Sequence, residues 1–430
     1  MTNVALQVHE DAQVMRLLAR LAPSTVDDEI APTVVFARAV WSRLIEPGDA
    51  IAGELIRGLG AVEALETLLS LDGAKAIAQA AASRGTELDW RALAAALKRW
   101  LPRLDRAESV RDLEGAVAAG LSIVVPESSE WPPTLDDLGP HAPQMLWVRG
   151  DASVLGMTSL AVVGARACTG YGSHVTAELT DAACAAGVAI VSGAAYGIDG
   201  VAHRAALAAG APTIAVLAGG ADRPYPNAHD SLLNRIAEAG VVCSEMVPGS
   251  APTRWRFLQR NRSIAALARA TLVTEAGFRS GSLNTAGHVA ELGRDLGAVP
   301  GPITSAASAG CHRLIREYGA TLVTNGAELR EFLDVSPGTG SLVSEAGAPA
   351  SATDGGGSRG GSEERQPSLH RRLIDALPLR GARSTDEAAL AAGVTRVEAR
   401  SGFAELEVLG HVARARDPNG GEPRWRLVKQ

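Results

Sequence analysis

The sequence predicts an α/β protein centred on a mostly parallel sheet with helices on both faces. Three observations carry that reading. From Leu160 onward, apolar runs of four to six residues (LAVVG, VAIVSG, PTIAVLAGG, GVVCSE, ATLVTEAG, DLGAVPG) alternate with helical segments, the spacing of βα units. Each run breaks at its C-terminal end into glycine, serine or arginine, where open parallel sheets bind ligands. The composition, 46% apolar and 21% charged over 430 residues, is that of a globular chain long enough for two or three domains.

Ahead of the sheet, apolar spacing through Val40, Leu44, Ile51, Leu55 and Leu59 gives residues 1–115 as an all-helical domain. LSIVVP and the aromatic stretch WPPTLDDLGPHAPQMLWVRGD then lead into the main domain, residues 116–335. The segment 336–366 has almost no large apolar side chains and reads as a flexible linker. Residues 367–430 resume with helices at Leu369–Leu377, at Thr385–Ala392 after the cap-like Ser384, and at Thr395–Leu409. Two short strands joined at Asn419-Gly420 complete a winged-helix pattern.

Several classes of function are excluded. The apolar runs are far shorter than the roughly 18 to 20 residues of a membrane helix, and MTNVALQVHE lacks the basic and apolar regions of a secretory signal, so the expectation is a cytoplasmic protein with no membrane partner. Cys168, Cys184, Cys243 and Cys311 form no C-x-x-C pair and read as reduced thiols. His203, His288 and His312 have no metal-ligand spacing. No metal or cofactor is expected: VVGAR followed by Gly170, Tyr171 and Gly172 is not a G-x-G-x-x-G dinucleotide fingerprint.

The net charge of −7 is segregated. Residues 1–150 hold 21 acidic and 14 basic residues, whereas residues 251–318 carry nine arginines, no lysine and four acids. Arginine without lysine suits bidentate phosphate contacts and stacking. Arg254-Trp255-Arg256-Phe257-Leu258-Gln259-Arg260-Asn261-Arg262 interleaves guanidiniums with rings immediately before a predicted helix, the combination that grips single-stranded nucleic acid. Ser192-Gly193-Ala194-Ala195-Tyr196-Gly197-Ile198-Asp199 is a small-residue loop opening a helix, whose N–H groups could receive a phosphate oxygen. Glu275-Ala276-Gly277-Phe278-Arg279-Ser280-Gly281-Ser282-Leu283 is a second such loop, with Ser282 near the helix start.

These motifs resemble the DNA-processing protein A (DprA, or Smf) family. The resemblance is dense over residues 116–335. It rests on VGAR at 163–166 with Tyr171-Gly172, SGAAYGID at 192–199, AHR at 202–204, RNR at 260–262, EAGFRSGSL at 275–283, AVPG at 298–301 and AGCHRLI at 309–315. It implies an extended Rossmann-like domain flanked by a SAM-like or helix-hairpin-helix-like N-terminal domain and a C-terminal winged helix. It implies a homodimer that binds single-stranded DNA without sequence preference and helps load RecA during natural transformation and recombination. Carried over by position, Arg166, Arg260, Asn261, Arg262 and the Ser280–Ser282 loop line the DNA pocket. Ser192, Gly193, Tyr196, Gly197, Phe257 and Arg279 complete the expected site. The chain departs from the family pattern at Ala165, where serine is usual, at Tyr196 in place of arginine, and at Leu258 in place of proline.

Two other readings compete. A nucleotide-processing hydrolase on a related Rossmann fold would use Glu275 as its acid or base. A winged-helix transcription regulator would read bases from its third helix, where Arg396 and Arg400 are offset by Glu398, Glu405 and Glu407.

Overall fold

The structure is a computed structural model. It describes residues 8–9, 11–23, 28–71, 73–335, 370, 373–374, 376–378, 381–408, 412–415 and 424–428. The chain divides into two compact units, Met1–Asp334 and Val335–Gln430.

The first unit opens with helices α1 (Ala12–Leu21), α2 (Pro32–Leu44), α3 (Ala50–Leu59), α4 (Ala61–Ser70), α5 (Ala74–Ser83), α6 (Trp90–Trp100) and α7 (Arg106–Ala118). Asp11, Asp49, Asp89 and Asp105 are N-caps of α1, α3, α6 and α7, each carboxylate accepting a first-turn N–H that would otherwise lack a partner. The helices close on Phe36, Trp41, Leu55, Leu65, Leu93 and Trp100, and the same core continues through Ile123 and Trp147 of the sheet and Met145 just before β2. Trp41 and Trp100 meet edge-on at 5.6 Å.

A nine-stranded sheet follows: β1 (Ser122–Val124), β2 (Leu146–Gly150), β3 (Ser159–Gly164), β4 (Ala189–Ser192), β5 (Thr213–Val216), β6 (Val241–Ser244), β7 (Ala270–Glu275), β8 (Asp295–Ala298) and β9 (Thr321–Leu322). Its order is β1-β2-β6-β5-β4-β3-β7-β8-β9. The β1-β2 and β2-β6 pairs are antiparallel and all the others parallel. Strands β3 to β7 are buried throughout apart from Gly164, which is why they read as unbroken apolar runs rather than alternating ones. The crossovers and flanks carry α8 (Gly170–Ala185), α9 (Ile198–Ala208), α10 (Asp230–Ala239), α11 (Arg254–Leu267), α12 (Ser282–Glu291), α13 (Ala309–Glu317) and α14 (Gly326–Phe332).

The arginine-rich segment differs from the sequence reading. It does not precede a helix; Arg254 to Arg262 form the first turns of α11, capped by Thr253, whose Oγ1 accepts from Arg256 N. Arginine, leucine and glutamine are good helix formers, and Thr253 supplies the cap.

The second unit contains β10 (Arg383–Ser384), α15 (Thr385–Ala392), α16 (Arg396–Val408), β11 (Val412–Ala415) and β12 (Arg424–Leu427), the strands ordered β10-β12-β11. Ser384 and Glu387 make a reciprocal capping box, and Gly393 ends α15 at φ 63°, a left-handed position open to glycine. Phe403 stacks on Trp425 at 5.0 Å. The linker 336–366 and the Asn419-Gly420 turn lie outside the described residues, as does much of the helix expected at Leu369–Leu377.

No described helix is long and apolar enough to cross a membrane. Among the described residues no group of three or more His, Cys, Asp or Glu side chains could hold a metal ion.

Candidate nucleic-acid interface

The chain runs outward from β3 through β4 and β5 to β6, then returns to β7 on the other side of β3. That reversal opens a crevice at the C-terminal ends of β3, β4 and β7. Three loops line it: 165–169 after β3, 193–197 after β4 and 276–281 after β7. Ala165 N donates to Glu275 O at 2.7 Å and Ile198 N to Ala165 O at 3.1 Å, tying the three together. Gly197 has φ 75°, and a Cβ there would stand 2.2 Å from Ala165 O, so both conformation and space demand glycine.

Arg166 and Phe257 form the centre of the crevice. Both are half-buried, with the Arg166 guanidinium 5.0 Å over the ring, a cation–π contact. Tyr225 packs against Phe257 with the ring centres 5.5 Å apart and the planes tilted by 54°. The sequence reading missed Tyr225; its signal was the Arg223-Pro224-Tyr225-Pro226 segment after β5, where a ring and a cation follow a strand end.

Three other arginines of α11 are held by the protein itself, Arg260 also lying 5.9 Å from the centre of the Phe257 ring. Arg256 forks onto Glu46 at 2.7 and 2.9 Å; with Arg103 also on that carboxylate, the Glu46 pKa falls although its partial burial opposes the shift. Arg260 is buried, and its Nη1 donates to Gly193 O at 2.7 Å and Val216 O at 2.6 Å. Burial pushes the Arg260 pKa down to about 10, against the pull of Asp199. Arg262 is only 3% exposed and forks onto Glu245 at 3.0 and 2.7 Å. Arg260 and Arg262, both expected to line the crevice, are therefore buried: Arg260 lies beside Phe257 and Arg262 on Glu245, where they brace the ends of β4, β5 and β6. Asn261 stays half-buried, with its Nδ2 donating to Asn284 Oδ1 at 3.1 Å.

The 192–199 loop is also internal. Gly193 N and Ala195 N donate to Asp199 Oδ2 at 3.2 and 3.3 Å, so the amides expected to hold a phosphate already have an anion. Burial raises the Asp199 pKa, opposed by Arg260 and these N–H groups. Ser192 Oγ donates to Val162 O. Tyr196 is buried, edge-on to His229 at 5.1 Å, and offers no face to a base.

The 276–282 loop is the open one. Arg279 and Gly281 are exposed, and the Ser280 and Ser282 hydroxyls lie 2.7 Å apart at the start of α12, a helix end able to receive an anion. Glu275 is buried, and its carboxylate accepts from Thr169 N at 2.7 Å and Thr169 Oγ1 at 2.6 Å. Its partner is the cap of α8, not the pocket arginines.

His203, on α9, has a fixed tautomer. Thr213 Oγ1 donates to Ile190 O, so His203 Nδ1, 2.8 Å away, is the donor to that hydroxyl. Burial lowers the His203 pKa to about 3, helped by His229, Arg204 and Arg260. The unfolded chain thus takes up this proton first as pH falls below about 6.5, and folding stability declines from there toward pH 3. Between pH 7 and pH 5 the parent should lose about 2 kcal/mol more than His203→Gln does, read from denaturant melts of both proteins.

A model of the family described as DNA recombination-mediator protein A matches residues 122–334. A relative from Mycobacterium tuberculosis, itself named only provisionally as a DNA processing protein DprA, is 40% identical over 405 residues, 91% of this chain and 94% of the relative. DNA processing protein DprA of Streptococcus pneumoniae is 45% identical over 192 residues, 44% of this chain and 67% of the relative. The X-ray structure of the Streptococcus pneumoniae protein covers 68% of this chain and 95% of its own, with TM-score 0.56 and 32% identity. With the sheet and the ordered motifs, these likenesses mean that the chain belongs to the DprA/Smf family of DNA recombination-mediator proteins.

Proposed function

We propose that this protein binds single-stranded DNA in the crevice between β3, β4 and β7, with little sequence preference and without chemistry of its own. The observation that carries the reading is the Arg166–Phe257 pair, 5.0 Å apart and half-open to solvent, beside exposed Arg279 and the Ser280-Gly281-Ser282 helix start. A cation for phosphate and a ring for any base hold a single strand without reading base edges. Phe257, Asn261, Arg279, Ser280, Gly281 and Ser282 are the contacts we assign with Arg166. Arg260, Arg262, Ser192, Gly193, Tyr196 and Gly197 form the scaffold beneath. The Glu275–Thr169 capping contact favours binding over hydrolysis.

In this reading residues 1–115 are a SAM-like domain and 367–430 a winged helix on the tether 336–366. The protein works in the cytoplasm, protecting incoming DNA and helping to load RecA. It acts as a homodimer through the face beside β9: both β9 residues are exposed and Leu322 is 47% so, an apolar side chain that a second copy would cover. Leu322→Arg should convert dimer to monomer in sedimentation at unchanged melting temperature. Titration of labelled single-stranded and blunt duplex oligonucleotides of one mixed sequence tests the binding itself. The expected result is tighter single-strand binding at every salt concentration; equal affinity for both would overturn it.

A further inference from the structure

Seven tryptophans are present, all among the described residues, and six have an evident role in packing or stacking. Trp41, Trp100, Trp131, Trp147 and Trp425 are buried, and Trp90, 38% exposed, is covered by Lys75 and Arg91. Trp255 is 56% exposed, and among the described residues no cation or ring stacks on it. Leu258, one turn further on, is 37% exposed as well, so the ring is part of an exposed apolar patch and not an isolated surface residue.

The α11 helix shows which one. At about 100° per residue, the side chains around the axis run in the order Phe257, Asn261, Arg254, Leu258, Trp255. Phe257 and Asn261 belong to the crevice, while Arg254, Leu258 and Trp255 are exposed. These five side chains turn through about 160° of the helix surface, from Phe257 in the crevice to Trp255 outside it, so a strand passing over them would wrap around the start of α11 and meet two aromatic rings. Arg254 has no ion pair among the described residues, and α11 contains no acidic residue. A polyanion with flat faces matches this strip in charge and shape.

We propose that Trp255, backed by Leu258, is a second stacking platform that receives the nucleotides leaving the crevice and so sets the length of strand the protein grips. The inference rests on the single-strand reading above.

The test is a length series of fluorescein-labelled oligothymidylates titrated against the full chain, Trp255→Ala, Trp255→Phe and Arg166→Ala. Parent affinity should rise with length to a plateau. Trp255→Ala should match the parent on the shortest strands and fall about five- to one-hundred-fold short on long ones, the range of one lost stacking contact. Trp255→Phe should recover most of the difference, whereas Arg166→Ala should be weak at every length. The platform is overturned if Trp255→Ala follows the parent at all lengths, or weakens binding equally at all lengths. A parent that binds no oligothymidylate overturns the single-strand reading itself, and the platform with it.

Discussion

Arg262→Ala should cost about 3 kcal/mol of stability, because it leaves the Glu245 carboxylate, largely shielded from water, without its fork of donors. For a unit of this size that is a fall in melting temperature of roughly 4 °C. The pair spans α11 and the residue after β6, and Ser263 Oγ also donates to Glu245 Oε1 at 2.7 Å, so the network closes only when all three groups are present. Paired replacement by Arg262→Leu and Glu245→Leu should recover most of the loss, since a hydrophobic pair is often as stable as a buried ion pair. Thermal melts of the single and double variants decide it. A single variant that melts with the parent but binds DNA weakly would return Arg262 to the ligand set.

Arg166→Ala should do the reverse. Its guanidinium is half-buried against one ring and has no ion pair among the described residues, so the melting temperature should move little. Single-strand affinity should fall for every sequence alike, with the salt dependence flatter by about one unit of slope for one lost phosphate contact. Phe257→Ala separates the two kinds of contact. It should cost roughly 1 to 3 kcal/mol of binding with the slope nearly unchanged. Salt titrations of the three proteins, each checked for folding, give both quantities. Unaltered binding by Arg166→Ala would move the site out of the crevice.

The contrast between these arginines shows where sequence stopped being informative. The strands were legible because burial on both faces leaves unbroken apolar runs such as LAVVG and ATLVTE. The α15 cap was legible because Ser384 and Glu387 are a local pair. In RWRFLQRNR nothing local says which guanidiniums turn inward. Arg260 is drawn in by carbonyls at Gly193 and Val216, and Arg262 by a carboxylate at Glu245, acceptors 17 to 67 residues away in the chain. The Ser192–Asp199 loop misled differently. Its small residues do form a nest of amides, but Asp199, inside the same motif, fills it. Tyr225 was hidden because its contact with Phe257 joins the loop after β5 to the first turn of α11, which the sequence does not relate.

Photocrosslinking tests most directly whether the crevice is the binding site. A single-stranded oligonucleotide carrying bromodeoxyuridine at one position would be irradiated on the full chain and the adducts mapped by mass spectrometry. The structure predicts adducts at Phe257 and Trp255 of α11 and in the Phe278–Ser282 loop, reduced by Arg166→Ala. Adducts confined to residues 384–428, or insensitive to Arg166→Ala, would contradict it.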